Sequence, residues 1–201
     1  MARRRIHYES AFEDLLRAEG VPYVGVDEAR KAIFAGAKVK SFDFLVYGAG
    51  QTTWLADVKG RRFPYELPGG RRYWENWVTG DDLASLACWE GTFGEPFRAA
   101  FVFAYWLDGP RGAWPPGAVH PHRGRDYGFL AVSLADYRSH CRRRSPRWDT
   151  YTVPTGAFRR MARPVQTWWR PGPCRAGLPV ADARYNQDRE GLTACLAGGE
   201  R

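Results

Sequence analysis

Two acids and a lysine, carried by two neighbouring apolar stretches, are the residues of this chain best suited to chemistry. Asp43 lies between two phenylalanines in the run 41–47, and Asp57 and Lys59 end the run 53–60 in the pattern Asp-x-Lys. Both runs are predicted strands, so Asp57 and Lys59 point to the same face of a sheet. A hairpin between the runs would bring Asp43 to that face as well. Two carboxylates and an ammonium together could hold a divalent cation and the phosphate that it activates.

Each of these residues also has an ordinary structural interpretation. Asp-x-Lys alone is most often a pair of solvent-facing residues on a strand. Asp43 favours the functional interpretation, because a carboxylate in an apolar run is costly to desolvate unless it is paired or bound to a metal. A fourth candidate, Glu9, lies beside the apolar stripe of a predicted N-terminal helix that Gly20 ends. Glu9 could equally serve only the helix dipole, since acids are favourable in a first helical turn.

Hydrophobic periodicity and turn residues predict the elements that must position these side chains. Thr79 and Asp82 have the spacing of an N-terminal capping box, and Gly94 is a natural end for the helix that they begin. The predicted helices cover residues 7–19, 79–94 and 134–142, and the predicted strands cover 21–26, 41–47, 53–60, 99–106 and 127–132. The predicted connections cover residues 27–40, with a helical turn at 29–34, then 61–77 and 108–125.

The order of these motifs resembles that of a known group of proteins. A helix with Glu, a strand with Asp and a strand ending in Asp-x-Lys is similar to the PD-(D/E)xK nuclease superfamily, and within it to the archaeal Holliday-junction resolvases. The resemblance spans about residues 7–106 and includes Tyr8-Glu9, Leu15-Leu16 and Gly20 in the first helix. It also includes a helix ending in Phe-Gly before a buried strand. Residues 7–13 match the motif of the HYExAFE family as well.

The resemblance implies an α/β fold with a restriction-endonuclease-like core, αβββαβ, in which helices flank a central mixed sheet. It implies a metal-dependent nuclease that hydrolyses phosphodiester bonds, with Mg²⁺ or Mn²⁺ held by Asp43, Asp57 and the backbone carbonyl of Val58. Lys59 would orient the attacking water and stabilise charge on the phosphate, and Glu9 would assist as an outer ligand or through a water. The alternative is a catalytically inactive nuclease scaffold that binds nucleic acid or a protein partner. The presence of the whole set favours the enzyme.

Two departures from the resolvase pattern bear on the substrate. Phe42 stands before Asp43, where proline is common in the superfamily. The resolvases also carry a further lysine in the buried strand, whereas residues 99–106 contain no basic side chain. These departures put specificity for junctions in doubt more than they do metal-dependent cleavage.

Composition is compatible with a folded protein that meets a polyanion. The 201 residues are 44% apolar, which is enough for one domain with a hydrophobic core. Thirty basic against 22 acidic residues give a net charge of +8 and a pI near 9.6, which favours nucleic acid as partner. Arginine could also be enriched by coding bias, since the chain has only four lysines, all close to the candidate site: Lys31, Lys38, Lys40 and Lys59.

Arginines alternate with aromatic residues in two segments. Residues 1–137 are predicted to form the nuclease-like core, and 138–201 a basic aromatic extension that is not an independent domain and whose end, from Pro171, is a loose tail. Such a pattern suits a nucleic-acid surface, and it equally suits an extension that packs its aromatics inward and leaves its arginines in solvent. The predicted nucleic-acid contacts are Arg61, Arg62, Arg71, Arg72, Arg142, Arg143, Arg144 and Arg147.

Cysteine and histidine give weaker indications. The four cysteines form no Cys-x-x-Cys pair, so free thiols are expected. His120 and His122 could bind a metal together with a cysteine, or belong to an ordinary Pro/Gly-rich loop. No secretion signal and no membrane-spanning run is expected, so a cytoplasmic protein is predicted. The predicted partner is nucleic acid, with DNA preferred, and a homodimer stays open.

Overall fold

The computed structural model describes residues 7–27, 32–34, 37–66, 72–108 and 114–170. The first half of the chain contains α1 (His7–Ala18), β1 (Tyr23–Gly25), β2 (Ala32–Phe34), β3 (Ala37–Val39), β4 (Phe44–Tyr47), β5 (Thr53–Phe63), β6 (Tyr65–Glu66), β7 (Arg72–Tyr73), β8 (Val78–Thr79) and α2 (Gly80–Phe93). The second half contains β9 (Phe97–Leu107), β10 (His120–His122), β11 (Arg125–Ser133), α3 (Leu134–His140), β12 (Arg142–Ser145), β13 (Thr150–Thr152), α4 (Thr155–Met161), β14 (Arg163–Pro164) and a 3-10 helix (Val165–Trp168).

The central sheet has the strand order β1-β4-β5-β9-β11-β10, with β14 added beside β11. The pairing of β5 with β9 is parallel, and the other pairings are antiparallel, so the sheet is mixed. Leaving out the small β2–β3, β6–β7 and β8 pairings, the chain follows the order α1, β1, β4, β5, α2, β9. The predicted α/β fold class, with an αβββαβ core and a mixed sheet flanked by helices, is confirmed.

Side chains alternate along β5 and so define the two faces of the sheet. Ala56 and Val58 pack in the cluster that contains the apolar stripe of α1. Leu55 and Phe63 pack in the other cluster, which contains Leu86 of α2 and the buried residues of α3 and α4. Asp57 and Lys59 have the parity of Leu55, so they point to the face that α2 covers, away from α1.

Several local predictions are confirmed by the structure. Thr79 caps α2 and forms the capping box with Asp82, and Gly94 ends that helix at a φ of 64°. The strand predicted over residues 99–106 is β9, whose central residues are buried on both faces. The helix predicted over residues 134–142 is α3, which Ser133 caps and which ends at His140.

Three predictions of irregular or helical structure are wrong. Residues 32–34, predicted as part of a helical turn, form β2, which pairs with β3 in a hairpin. Strand β5 continues to Phe63 instead of ending at residue 60, because Phe63 is buried and the parallel register with β9 runs unbroken to Phe63 opposite Leu107. The connection predicted over 108–125 contains the short strand β10.

The segment after Arg138 packs onto the sheet through several independent contacts. Strand β13 pairs with β8, and β14 pairs with β11. Phe158 of α4 is fully buried, and the Trp168 ring stacks on Trp54 of β5 with centroids 4.6 Å apart. None of the helices in the described part of the chain combines the length and hydropathy that a membrane crossing requires. The tail predicted from Pro171 lies outside the described residues.

Candidate functional site

Asp43 and Asp57 meet where strands β4 and β5 separate. The last paired residues are Phe44 and Ala56, and the backbone N–H of Asp43 still donates to the Ala56 carbonyl at 3.0 Å. Beyond that point a side-chain oxygen replaces a backbone carbonyl as the acceptor, because Asp43 Oδ2 accepts from the Val58 N–H at 2.6 Å. The carboxyl groups of Asp43 and Asp57 lie within hydrogen-bonding reach of each other. Both residues are buried.

Lys59 completes this group through two ion pairs. Its Nζ lies 2.8 Å from Asp57 Oδ2 and 3.2 Å from Asp82 Oδ1. Asp82 belongs to the first turn of α2, where its other oxygen, Oδ2, accepts from the Thr79 N–H at 2.9 Å. The capping box therefore holds Asp82 in place, and Asp82 in turn fixes the ammonium of Lys59 beside Asp57. Lys40 reaches the same Asp82 Oδ1 at 3.2 Å.

Burial and the neighbouring charges set the protonation of these groups. Burial raises the pKa of Asp57, and the charge of Asp82 adds to this, while the Lys59 ammonium opposes it. Burial disfavours charged Lys59, but the Asp57 and Asp82 carboxylates outweigh it and hold the pKa of Lys59 above its ordinary value. Burial also disfavours charged Asp82, yet Lys59 and the hydrogen bonds from Thr79 lower its pKa to about 2. Lys59 is therefore an ammonium and Asp82 a carboxylate at neutral pH.

The backbone of Val58 contributes a third oxygen to the place where the two strands separate. In an antiparallel ladder the N–H and the C=O of one residue point to the same side of the strand. The Val58 N–H points to Asp43, so its carbonyl also points to the side that β4 has left. Two carboxylates and a carbonyl are the oxygen donors that a hard divalent cation takes. The donor set of Asp43, Asp57 and Val58 therefore fits Mg²⁺ or Mn²⁺ in kind.

Glu9 lies in the first turn of α1, on the helix that covers the opposite face of the sheet from Asp57 and Lys59. That turn approaches β5 closely. A Cβ added at Gly60 would collide with the Tyr8 ring, so only glycine allows this approach directly after Lys59. The first turn of α1 is thus fixed beside the end of the candidate site, and participation of Glu9 in it stays a prediction.

Arg61 follows Lys59 on the same face of β5 and is directed into the protein. Its guanidinium donates to the carbonyl of Gly60 at 2.7 Å and to the carbonyl of Trp77, and its Cζ lies 4.1 Å from the centroid of the Trp77 ring. Burial lowers the pKa of Arg61. Only 8% of Arg61 is exposed, so its described contacts are with the chain itself. Arg144 approaches the same Trp77 ring, with its Cζ 5.6 Å from the centroid.

The predicted arginine surface is carried by a small sheet beside α2. Strand β12 bears three exposed arginines and pairs with β13, which pairs with β8 directly before α2. Asp149 docks on the same helix end, because its carbonyl accepts from the Gly80 N–H at 2.8 Å and a Cβ at Gly80 would collide with its carboxylate. The exposed arginines of this group are Arg142, Arg143, Arg144 and Arg147.

The arginines that follow β5 are divided differently. Arg62 is exposed, and it pairs with Asp108 and lies with its Cζ 5.2 Å from the Trp106 ring centroid. Arg62 has the parity of Ala56, so it points to the α1 face, away from Lys59. Arg71 lies outside the described residues, and so does the side chain of Arg72, whose backbone forms part of β7.

The sequence pattern predicts that Asp43, Asp57 and Lys59 lie together, but it gives Asp82 only a capping role. The helix cap was visible as Thr79 and Asp82, yet the approach of that cap to β5 is a tertiary contact that no spacing reveals. Lys40 carried one signal, as one of the four lysines grouped near the site. Trp77, whose ring both Arg61 and Arg144 approach, carried one signal as an aromatic residue among the arginines after Lys59.

Comparison with known proteins finds similarity at the level of structure and not of sequence. No family model matches the chain, and no curated protein matches its sequence. Among solved structures, the chain is similar to Hjc, a Holliday junction resolvase from the archaeal hyperthermophile Archaeoglobus fulgidus. The identity is 17%, the match covers 79% of this chain and 94% of that chain, and the TM-score is 0.45. At that score the likeness carries no functional argument, so function is argued from the chain's own residues.

Proposed function

We propose that this protein is a metal-dependent nuclease that hydrolyses phosphodiester bonds of nucleic acid, with DNA as the preferred substrate. One observation carries the proposal. The charged side chains of Asp43, Asp57 and Lys59 meet at the point where β4 and β5 separate, although the surrounding core is apolar. Burying two carboxylates side by side is unfavourable unless nearby positive charge compensates them. A cation held between them would compensate that cost.

Mg²⁺ or Mn²⁺ would be held by the carboxylates of Asp43 and Asp57 and the carbonyl of Val58. When bound, such an ion acts as a Lewis acid on a phosphoryl oxygen and makes water a stronger acid. The Oδ2 atom of Asp43 accepts from the Val58 N–H. This hydrogen bond orients the other carboxylate oxygen and links Asp43 to the strand that carries Asp57. This support keeps the oxygen donors in position before substrate arrives.

Lys59 would act on the substrate directly. In the described part of the chain, two of the three N–H groups of the ammonium are directed to carboxylates, one to Asp57 and one to Asp82. The third N–H can donate to the attacking water or to a phosphate oxygen, where charge develops during hydrolysis. Asp82 is a positioning residue, because it holds the ammonium from the side of α2. Glu9 would assist from α1 as an outer ligand.

The strand β12 would supply the surface for the nucleic-acid backbone. Its arginines lie beside the end of α2 that carries Asp82, and Arg144 shares the Trp77 ring with Arg61, two residues beyond Lys59 on β5. Because these arginines are exposed and lie beside the site, they can hold phosphates while a neighbouring phosphate reaches Lys59. Arg61 would act by supporting Trp77, and Arg62, Arg71 and Arg72 stay candidates for further backbone contacts.

A second function is favoured by the ion pairs themselves. Lys59 is already paired with Asp57 and Asp82, so the cluster could be a structural network in a scaffold that only binds nucleic acid or a protein partner. The two functions differ in what a conservative substitution at Asp57 does to catalysis and to metal binding.

Cleavage of linear DNA, branched DNA and RNA in Mg²⁺ or Mn²⁺ by three proteins tests the proposal. We expect wild type to cleave at least one substrate and Asp57→Asn to lose that activity while staying folded, because Asn is nearly isosteric but lacks the charge that holds a hard cation. Asp81→Asn is the matched control, since Asp81 lies in the same helical turn as Asp82 but its side chain is 80% exposed. Undiminished cleavage by Asp57→Asn would refute the assignment of the site.

Binding at several salt concentrations tests the arginine surface separately. For duplex DNA, each phosphate contact contributes about 0.9 to the slope of log affinity against log salt. Replacing Arg142, Arg143 and Arg144 by Gln should lower that slope by up to ~2.7. Arg98→Gln is the control. Arg98 is an exposed arginine near the start of β9, whereas Lys59 pairs with Phe103 further along that strand. Equal slopes for wild type and the triple variant would remove β12 from the nucleic-acid surface.

A further inference from the structure

Two histidines of β10 and an aspartate of α1 form a second group of candidate metal ligands. One ligand atom from each of Asp14, His120 and His122 lies within 4.8 Å of the others. Within the described residues, these three form the cluster of His, Cys, Asp or Glu side chains that is close enough to share a metal ion. His120 Nε2 lies 2.9 Å and His122 Nδ1 lies 3.1 Å from the same oxygen, Asp14 Oδ2. These three residues belong neither to the Asp43–Asp57 site nor to the arginine surface.

The hairpin of β10 and β11 fixes both imidazoles. His120 pairs with Tyr127 and His122 with Arg125, which leaves a two-residue turn at Arg123 and Gly124. Both turn residues have positive φ, 50° and 74°, which is the conformation of a tight type I′ hairpin turn. Because residues two apart on a strand share a face, the two rings leave β10 on the same side. That side is covered by α1.

Helix α1 presents a polar stripe to this hairpin. His7, Ser10 and Asp14 are spaced by three and four residues, so they lie along one side of the helix. His7 Nδ1 contacts the Tyr127 hydroxyl at 2.8 Å, and Ser10 Oγ lies 3.2 Å from His122 Nε2. The second nitrogen of His122 therefore has a partner of its own, which orients the ring and leaves Nδ1 for Asp14 or for a metal.

The geometry is close to that of a transition-metal site. With bonds of about 2.0–2.1 Å, neighbouring ligands of a tetrahedral Zn²⁺ ion are about 3.3 Å apart. The two nitrogen–oxygen distances fall a few tenths of an ångström short of that separation, so small shifts would admit an ion. The two histidine side chains are 12% and 10% exposed and that of Asp14 is 46% exposed, so solvent can complete the coordination on the aspartate side.

From this arrangement we propose that Asp14, His120 and His122 bind a divalent transition metal of the Zn²⁺ type, which fastens the β10–β11 hairpin to α1. Imidazole nitrogen with one carboxylate oxygen is a donor set that suits Zn²⁺ and disfavours Mg²⁺. The site is separate from the carboxylates on β5, since β10 lies three strands away, roughly 14 Å at the usual strand spacing. It also lies on the face of the sheet that α1 covers.

Calorimetric titration of chelator-treated protein with Zn²⁺ tests this proposal. We expect one tightly bound Zn²⁺ ion. Its affinity should fall by more than roughly a hundredfold in His122→Ala and by about tenfold in Ser10→Ala, which removes only the partner of the second nitrogen. His140→Ala is the matched control, because His140 is an exposed histidine of α3. It should bind Zn²⁺ as wild type does. Asp57→Asn should also leave Zn²⁺ binding unchanged, which separates this site from the nuclease site.

Two further measurements keep the outcome decisive if His122→Ala is unstable. Asp14→Asn changes a half-exposed side chain with little change of shape, and it should lose Zn²⁺ binding while unfolding at nearly the temperature of metal-free wild type. Co²⁺ should give the visible absorption bands of a nitrogen-ligated, near-tetrahedral ion in wild type, and these bands should be absent in Asp14→Asn. Wild type that binds no Zn²⁺, or variants that bind it as tightly as wild type, would show that the cluster is a hydrogen-bonded network only.

Discussion

Replacing Asp82 by Asn should weaken the fold by an amount that depends on pH. The pKa of Asp82 falls from an ordinary 3.8 to about 2, because the attraction of Lys59 and the hydrogen bonds from Thr79 outweigh the effect of burial. A carboxyl whose pKa is lowered by folding stabilises the folded state where it is charged, and that contribution disappears as the pH falls through the folded pKa. The difference corresponds to about 2 kcal/mol at neutral pH. Its side chain is only 10% exposed, so solvent screens the interaction little.

Urea unfolding of wild type and Asp82→Asn at several pH values measures this effect. Asn can still accept from the Thr79 N–H, so the substitution removes the charge and keeps most of the cap. We expect a loss of about 2 kcal/mol at pH 7 that shrinks below pH 4. Asp81→Asn, in the same turn but exposed, should stay within about 0.5 kcal/mol of wild type. A loss for Asp82→Asn that is equal at pH 7 and pH 3 would refute the ion pair as its cause.

Two other substitutions test the packing that positions the site. Phe158→Ala should lower the free energy of unfolding by about 3–5 kcal/mol, since Phe158 is fully buried against Phe103, whereas Trp148→Ala, at a residue 68% exposed, should stay within about 0.5 kcal/mol. Equal effects in urea unfolding would contradict the burial of α4. Gly60→Ala should cost about 1–3 kcal/mol because its Cβ collides with the Tyr8 ring, and Tyr8→Ala in the same chain should restore part of that loss. Additive losses would show that the two residues do not touch.

Local signals in the sequence were sufficient for the frame of the sheet and for the central pair of acids. Strand parity placed Asp57 and Lys59 on one face, and the turn after β4 brought Asp43 beside them, because period-2 alternation and short hairpins are local properties. The helix cap at Thr79 was equally local. Its contact with Lys59 was not, since it depends on how α2 crosses the sheet, and this depends on packing against the apolar face of β5 and β9.

The wrong prediction of where β5 ends also has its cause in tertiary packing. The polar sequence after Lys59 predicts a loop, in which Arg61, with the other arginines there, either contacts nucleic acid or belongs to a packed segment. The strand continues because Phe63 is buried opposite Leu107 of β9, and Arg61 is carried inside with its charge spread over Trp77 and two carbonyls. A buried arginine is rare enough that sequence reasoning assigns it to solvent. The partner that makes burial tolerable lies 16 residues further along the chain.

The most direct test of the account is whether Asp43 and Asp57 jointly hold one divalent cation. Calorimetric titration with Mn²⁺ in a His120→Ala background would report on this pair without the histidine cluster. We predict one bound ion, lost on adding either Asp43→Asn or Asp57→Asn and retained on adding Asp81→Asn. No binding in the background protein, or binding that survives both substitutions, would contradict the account and leave a scaffold whose acids and lysine serve only the fold.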